Sequence, residues 1–149
     1  MTRIATLRRS WPLVAVLTLC AAVYLYDPPW TGRVTSGLRD WEEDPPGTRF
    51  RWTDGHASFF VPSRARTMTV PMRGVFPLNG GQPVIVSLSV DDRWLTNVEL
   101  KTPTDWEYTT VPLPPAHRFR SFRRVELRVS RVLPPFNLGI EIGELRLQP

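Results

Sequence analysis

Hydrophobic positions along the chain fall into two regimes. The first is one unbroken run, Trp11–Tyr26 (WPLVAVLTLCAAVYLY), with no charged residue in it. As a helix it would be about 24 Å long at ~1.5 Å per residue, slightly short of a hydrocarbon core of ~30 Å. Trp11, Tyr24 and Tyr26 at the interfaces and Arg8 and Arg9 in the head groups make up the difference. The second regime begins at Phe50 and alternates with a period of two. Arg49–Trp52 and Ala57–Val61 flank Thr53-Asp54-Gly55-His56, and Asp-Gly predicts a hairpin turn there. Thr67–Val70 and Val75–Phe76 are short apolar runs punctuated by Pro71 and Pro77, and Asn79-Gly80-Gly81 reads as a turn.

Val84–Val90 is the clearest strand, with Val84, Val86, Leu88 and Val90 on one face and Ser87 and Ser89 on the other. Asp91-Asp92-Arg93 turns the chain and Trp94–Leu100 returns it. Trp106–Leu113 follows, then Phe122–Ser130, in which Val125, Leu127 and Val129 face inward and Arg124, Glu126 and Arg128 outward. In Leu138–Leu147 the inward parity changes between Ile142 and Leu145, which predicts a β-bulge at Gly143-Glu144. No stretch after Pro28 carries a 3.6-residue stripe. The pattern predicts an all-β, antiparallel β-sandwich of seven to nine short strands, jelly-roll-like with its terminal strands paired, behind one N-terminal transmembrane helix.

This divides the chain into a cytoplasmic N-terminus (1–10), a signal anchor (11–26), a Pro/Gly-rich tether and lead-in (27–48) and an extracytoplasmic β-sandwich (49–149). The orientation follows from Arg3, Arg8 and Arg9 before the apolar run and Asp27 after it. Two alternatives for the run stay open. A signal peptide would be cut after Ala22, but Val23–Tyr26 continues the apolar stretch with no polar break. A lipid on Cys20 would need a small residue where Leu19 stands.

Charge changes the picture only when it is divided by segment. The whole chain carries +5 and has a pI near 10.3. Three of its nineteen basic residues precede the apolar run, leaving sixteen against fourteen acids outside, a balance of +2. That is an ordinary solvated surface and speaks against nucleic acid as a partner. The only cysteine, Cys20, lies in the apolar run, so the outer domain has neither disulfide nor thiol chemistry.

Four pieces in order, Gly37-x-x-x-Trp41-Glu42-Glu43, Phe50–Ala57 (FRWTDGHA), the Val84–Leu100 hairpin and Leu138-Gly139-Ile140-x-Ile142, resemble a jelly-roll accessory domain similar to carbohydrate-binding modules. Such domains follow the membrane part of some bacterial polytopic glycosyltransferases of the mannosyltransferase type. The resemblance spans roughly residues 36–148. It implies the fold and a carbohydrate-binding-like role in cell-envelope glycan metabolism. The chain departs from the pattern in having one anchor in place of a multi-spanning catalytic half, and a shorter segment before Leu138.

The residues themselves offer little catalytic chemistry. His56 and His117 are far apart, with no metal-ligand spacing between them; no Gly-x-Ser-x-Gly is present; and Glu42, Glu43, Asp91 and Asp92 are adjacent acids with nothing that sets them across a cleft. The expectation is a non-enzyme with no cofactor and no metal. Arg118, Arg120, Arg123, Arg124, Arg128 and Arg131, interleaved with Phe119 and Phe122, read first as an outward strand face pairing with acids such as Glu141, the alternative being a grip on phosphate or on a sulfated or uronic polymer. Trp41, Trp52, Trp94, Trp106 and Tyr108 are candidates for stacking on sugars, Trp52 being placed in the core by its alternation. The expected ligand site is Trp94, Trp106, Asp92 and Arg93. Expected partners are the membrane, through one span, and a glycan. Two alternatives remain: a docking domain for a membrane glycosyltransferase or envelope assembly, and, third, an enzyme.

Overall fold

A computed structural model describes residues 4–25, 27–45, 47–75, 82–117 and 120–149. The turn expected at Asn79-Gly80-Gly81, and Phe76 and Pro77 before it, lie outside them. The apolar run forms α1 (Ile4–Leu25), a helix long and apolar enough to cross a membrane. From Trp11 to Tyr24 its residues are exposed, Trp11 at 71% and Val23 at 68%. A short 3-10 helix (Pro29–Arg33) leads into the sheets.

Ten strands follow among the described residues: β1 (Thr35–Leu38), β2 (Glu42–Asp44), β3 (Thr48–Pro62), β4 (Thr67–Arg73), β5 (Val84–Val90), β6 (Arg93–Leu100), β7 (Glu107–Pro112), β8 (Phe122–Val129), β9 (Glu141–Gly143) and β10 (Arg146–Gln148). Every ladder between them is antiparallel. One sheet runs β1-β3-β8-β5-β6. The other runs β2-β3, then β9 and β10, then β4 and β7. The strong early strand β3 pairs with the near-terminal β9, as expected of a jelly-roll-like sandwich.

The hairpin expected at Asp54-Gly55 does not form. Residues 48–62 are one continuous strand that passes from sheet to sheet: Phe50–Trp52 pair with β9, His56–Pro62 with β8. A two-residue hairpin turn of the Asp-Gly type needs left-handed backbone at both central residues, and neither Asp54 nor Gly55 has it. The left-handed pair instead sits at Asp91 (φ 48°) and Asp92 (φ 63°), where the β5–β6 hairpin turns.

Three motifs separated in sequence converge on the crossing point of β3. Thr53 is fully buried; its N–H donates to Ile140 O at 2.8 Å, and its hydroxyl oxygen accepts from Ile140 N at 2.9 Å. A Cβ on Gly139 would stand 2.4 Å from that hydroxyl, so only glycine fits. Gly37 has φ +63°, and a Cβ there would lie 2.0 Å from His56 O. Leu38 pairs with Thr53. These residues hold the two sheets at the angle the sandwich needs.

The bulge in the last strand is present. Between the pairs Met72↔Ile142 and Thr69↔Arg146, β4 advances three residues while the β9–β10 chain advances four. The extra residue turns Leu145 onto the core, but Leu147 stays 39% exposed. Between the sheets, Met68, Val70, Met72, Val86, Leu88, Val90, Val125, Leu127 and Ile140 are at 0% exposure. Arg123 enters this interior at 2% exposure with no ion pair among the described residues. Its Nη1 donates to Pro114 O and its Nη2 to Ser63 O and Ala65 O. Burial lowers its pKa.

Candidate functional site

Register decides which side chains share the outer face of the β1-β3-β8-β5-β6 sheet, because directly paired residues point the same way. One row crosses all five strands: Trp94, Ser89, Glu126, Ser58, Ser36. The next row crosses four: Asn97, Ser87, Arg128, His56. These two rows make a polar floor of hydroxyls, an amide and charges with one indole on it, bordered on the same face by Phe60 and Ile85. Val86, Leu88 and Val90 alternate with Ser87 and Ser89, so the strand that builds the core also builds this floor.

Trp94 is 66% exposed, yet its Nε1–H donates to Asn97 Oδ1 at 3.2 Å. The same oxygen accepts Ser87 Oγ at 2.8 Å. Two donors thus fix the amide, and the amide fixes the indole. The ring presents an apolar surface whose polar handle is already satisfied, and the Asn97 amide nitrogen keeps two donors for a ligand.

Along the same face, toward the β5–β6 turn, Glu126 is 8% exposed at its side chain and bonds to Arg124 Nη2 at 2.6 Å. His56 Nε2 lies 3.4 Å from its other oxygen. Arg124 Nη2 also reaches Asp92 at 2.8 Å. Asp92 is therefore an ion-pair partner of β8. Arg93, next to it, lines a cavity of about 800 Å³ between the end of α1 and the sheet face, together with Tyr24, Asp27, Phe60, Arg120 and Phe122.

Trp106 belongs to the other sheet. Arg73 stands 4.6 Å over its ring and 5.4 Å over that of Phe50, and the two rings lie 6.5 Å apart at 58°. Arg73 donates to Glu141 and Asp44 on the outer face of this sheet. Burial holds the Glu141 carboxyl above its ordinary pKa, against the pull of Arg73. Burial also works against the charge on Arg73, but the bonds to Glu141 and Asp44 outweigh it and leave its pKa raised. Trp106 and Tyr108 border a smaller cleft of about 310 Å³ with Arg49, Glu144 and Arg146. Trp41 is covered by Arg49 at 5.2 Å and Arg51 at 4.6 Å. Trp52 pairs with Glu141 and is half-buried on the outer face, outside the core cluster where alternation places it.

Of the four residues expected to form one site, the structure gives each a different setting. Trp94 stands free on its sheet, Asp92 is tied to Arg124, Arg93 lines the juxtamembrane cavity, and Trp106 is packed on the opposite sheet. Trp94 lies at the start of β6 (Arg93–Leu100), while Trp106 stands past its other end, just before β7. The residues gathered around Trp94 are instead Asn97, Ser87 and Ser89. Their signal in the sequence is the serine alternation of β5, which marks an outward face without naming its neighbours. Among the described residues no three His, Cys, Asp or Glu side chains cluster as metal ligands.

No protein-family model matches the chain, and no curated protein matches it. Among solved structures it is similar to the EclA C-terminal domain, a sugar-binding protein, at 18% identity over 73% of this chain and 90% of that one, with a TM-score of 0.49. A family 35 carbohydrate-binding module from an environmental isolate matches at 15% identity over 76% and 87%, TM-score 0.44. TmCBM61 in complex with β-1,4-galactotriose matches at 16% over 77% and 86%, TM-score 0.44. Each TM-score lies below 0.5, so the fold of this chain rests on its own strand order and its function on its own residues.

Proposed function

We propose that this chain is a non-catalytic, membrane-tethered glycan-binding module of the cell envelope, its β-sandwich held outside the cytoplasm by α1. The observation that carries the reading is the Trp94 platform: an indole two-thirds exposed, immobilised through Asn97, beside a floor of serine hydroxyls. Burying a free tryptophan face against the C–H face of a pyranose recovers apolar contact, while Asn97 Nδ2 and Ser89 supply hydrogen bonds to hydroxyls. No wall encloses the platform, and such a site binds weakly and reads only a few sugar units. The three arginines before the apolar run support the orientation. The near-balanced charge of the outer domain supports stacking over ionic capture.

The test is a glycan array with the full chain in an uncharged detergent, followed by calorimetry on any hit at low and moderate salt. Trp94→Ala should weaken binding about tenfold, the scale of one aromatic contact with its buried area. Trp106→Ala should leave it unchanged. Salt should matter little, since few ionic contacts form. Equal binding by Trp94→Ala removes the platform from the site, and a blank array moves the assignment to a protein-docking domain.

A further inference from the structure

The cavity at the end of α1 has no role in the Trp94 site. Its position is set by two contacts that pin the helix to the sandwich. Asp27 accepts Arg120 Nη1 through one oxygen at 2.7 Å and Ser121 N through the other at 2.7 Å. The Arg120 guanidinium stands 5.1 Å over the ring of Tyr24, in the last turn of α1. If α1 crosses a bilayer, a reading this inference shares with the proposed function, the cavity lies where the apolar helix ends, at the level of the lipid head groups.

Its lining mixes two chemistries. Phe60, Phe122 and Tyr24 supply aromatic surface, with Arg120 over Tyr24, and Arg93, Arg120 and Arg124 supply cations against Asp27 and Asp91. Of the acids nearby, Asp91 alone is outside an ion pair among the described residues. Asp27 is consumed by Arg120 and Ser121, Asp91 accepts Arg124 N at 2.9 Å, and Arg124 is held by Asp92 and Glu126. Arg93 makes no ion pair among the described residues. Three arginines against two aspartates therefore line about 800 Å³ of space, beside aromatic rings, at the foot of an apolar helix, and Arg93 is the arginine outside any ion pair among the described residues.

We infer that this cavity binds the phosphodiester head group of an anionic membrane lipid. Arg93 contacts the phosphate through its planar fork of donors, Arg120, held by Asp27 and Tyr24, adds its charge, and Phe60 and Phe122 cover the glycerol and first acyl carbons. A soluble phosphate compound would use the arginines but gain nothing from the aromatic surface, which makes a lipid the better-fitting source. Bound there, the lipid would fasten the sandwich to the membrane surface at a second point.

The experiment uses the full chain in an uncharged maltoside detergent, titrated separately with dioleoyl phosphatidylglycerol, dioleoyl phosphatidylcholine and glycerol 3-phosphate, with bound molecules counted by native mass spectrometry. One phosphatidylglycerol per chain should be retained, with about tenfold preference over phosphatidylcholine. Arg93→Ala should lose that preference, the equivalent of one charged hydrogen-bonding contact, while melting at the wild-type temperature. Arg128→Ala, an exposed arginine outside the cavity, should keep it. Equal retention of both lipids, or an unaffected Arg93→Ala, overturns the site. Glycerol 3-phosphate bound as tightly as phosphatidylglycerol overturns the lipid as its source. Carbonate washing of membranes tests the anchor separately, because release of the chain would refute the span without changing the lipid count in detergent, and the glycan array decides the Trp94 reading.

Discussion

Arg123→Met replaces the one fully buried cation among the described residues with an apolar side chain of similar length. Arg123 ties the connection between β3 and β4, through Ser63 O and Ala65 O, to the segment after β7, through Pro114 O. Hydrogen bonds from a charged donor contribute a net ~1.5–3 kcal/mol each, and a buried carbonyl left without a donor costs ~1–3 kcal/mol. Against this stands the desolvation of a guanidinium with no ion pair among the described residues, offset only in part by the field of Asp91, and its Nε has no partner among them. The balance is a loss of about 3–5 kcal/mol, a large part of the ~5–15 kcal/mol by which a domain is stable. For a sandwich of this size, that lowers the melting temperature by roughly 10–20 °C. Tryptophan fluorescence of the full chain in detergent follows the melt of the sandwich, since α1 contributes only Trp11. Arg123→Lys should fall between the two, because one ammonium cannot span all three carbonyls as the planar fork does. Arg128→Met, exposed on the same strand, should change stability by no more than about 0.5 kcal/mol. A melting temperature for Arg123→Met within 2 °C or so of wild type would show that water replaces the guanidinium at no cost, and the reasoning would fall.

Two further predictions concern the sheets. Val86→Asp should prevent folding, because Val86 is at 0% exposure and an unpaired buried carboxylate costs several kcal/mol, whereas Ser87→Asp, one residue on and facing outward, should fold; far-ultraviolet circular dichroism that stays strand-rich in Val86→Asp would contradict the assigned faces. For Glu141, burial raises the folded-state pKa above the ordinary value of 4.5, so the folded form binds the extra proton and this residue's contribution to stability is full below about pH 4.5 and lost as pH rises through the raised pKa. The stability of wild type relative to Glu141→Gln, from urea melts at several pH values, should therefore decline as pH rises above 4.5, and a rise would reverse the assigned shift.

The strands were legible where one face is buried and the other wet. Val84–Val90 has the predicted ends and face, and Phe122–Val129 the predicted start and inward face with its end one residue short of Ser130, because a period of two is all that a half-buried antiparallel strand needs. The bulge was legible for the same reason, since a change of parity within one strand requires an extra residue. The Asp54-Gly55 signal failed because a turn dipeptide reports only what the local chain can do. Here Phe50–Trp52 and His56–Pro62 each find a partner strand, β9 and β8, from far along the chain, and the ladders hold the segment extended through the dipeptide. The lead-in hid β1 and β2 because three- and four-residue strands on the edge of β3 carry no alternation long enough to count.

The site was less legible than the fold, and its own residues show why. Trp94 and Trp106 have equivalent local surroundings in the sequence, each next to a turn. What separates them is which cation arrives from elsewhere. Arg73 of β4 lies over Trp106, and no guanidinium covers Trp94 among the described residues. In the same way the Gly37, Thr53 and Gly139 motifs that carry the likeness to carbohydrate-binding modules meet one another at the sheet crossing, not at Trp94 or the juxtamembrane cavity. A likeness carried by such residues reports how two sheets are joined. Ligand recognition in this chain has to be argued from Trp94, Asn97, Ser87 and Arg93 themselves, because the remaining motif, the Val84–Leu100 hairpin, holds all four only as positions on a hairpin that many β domains could share.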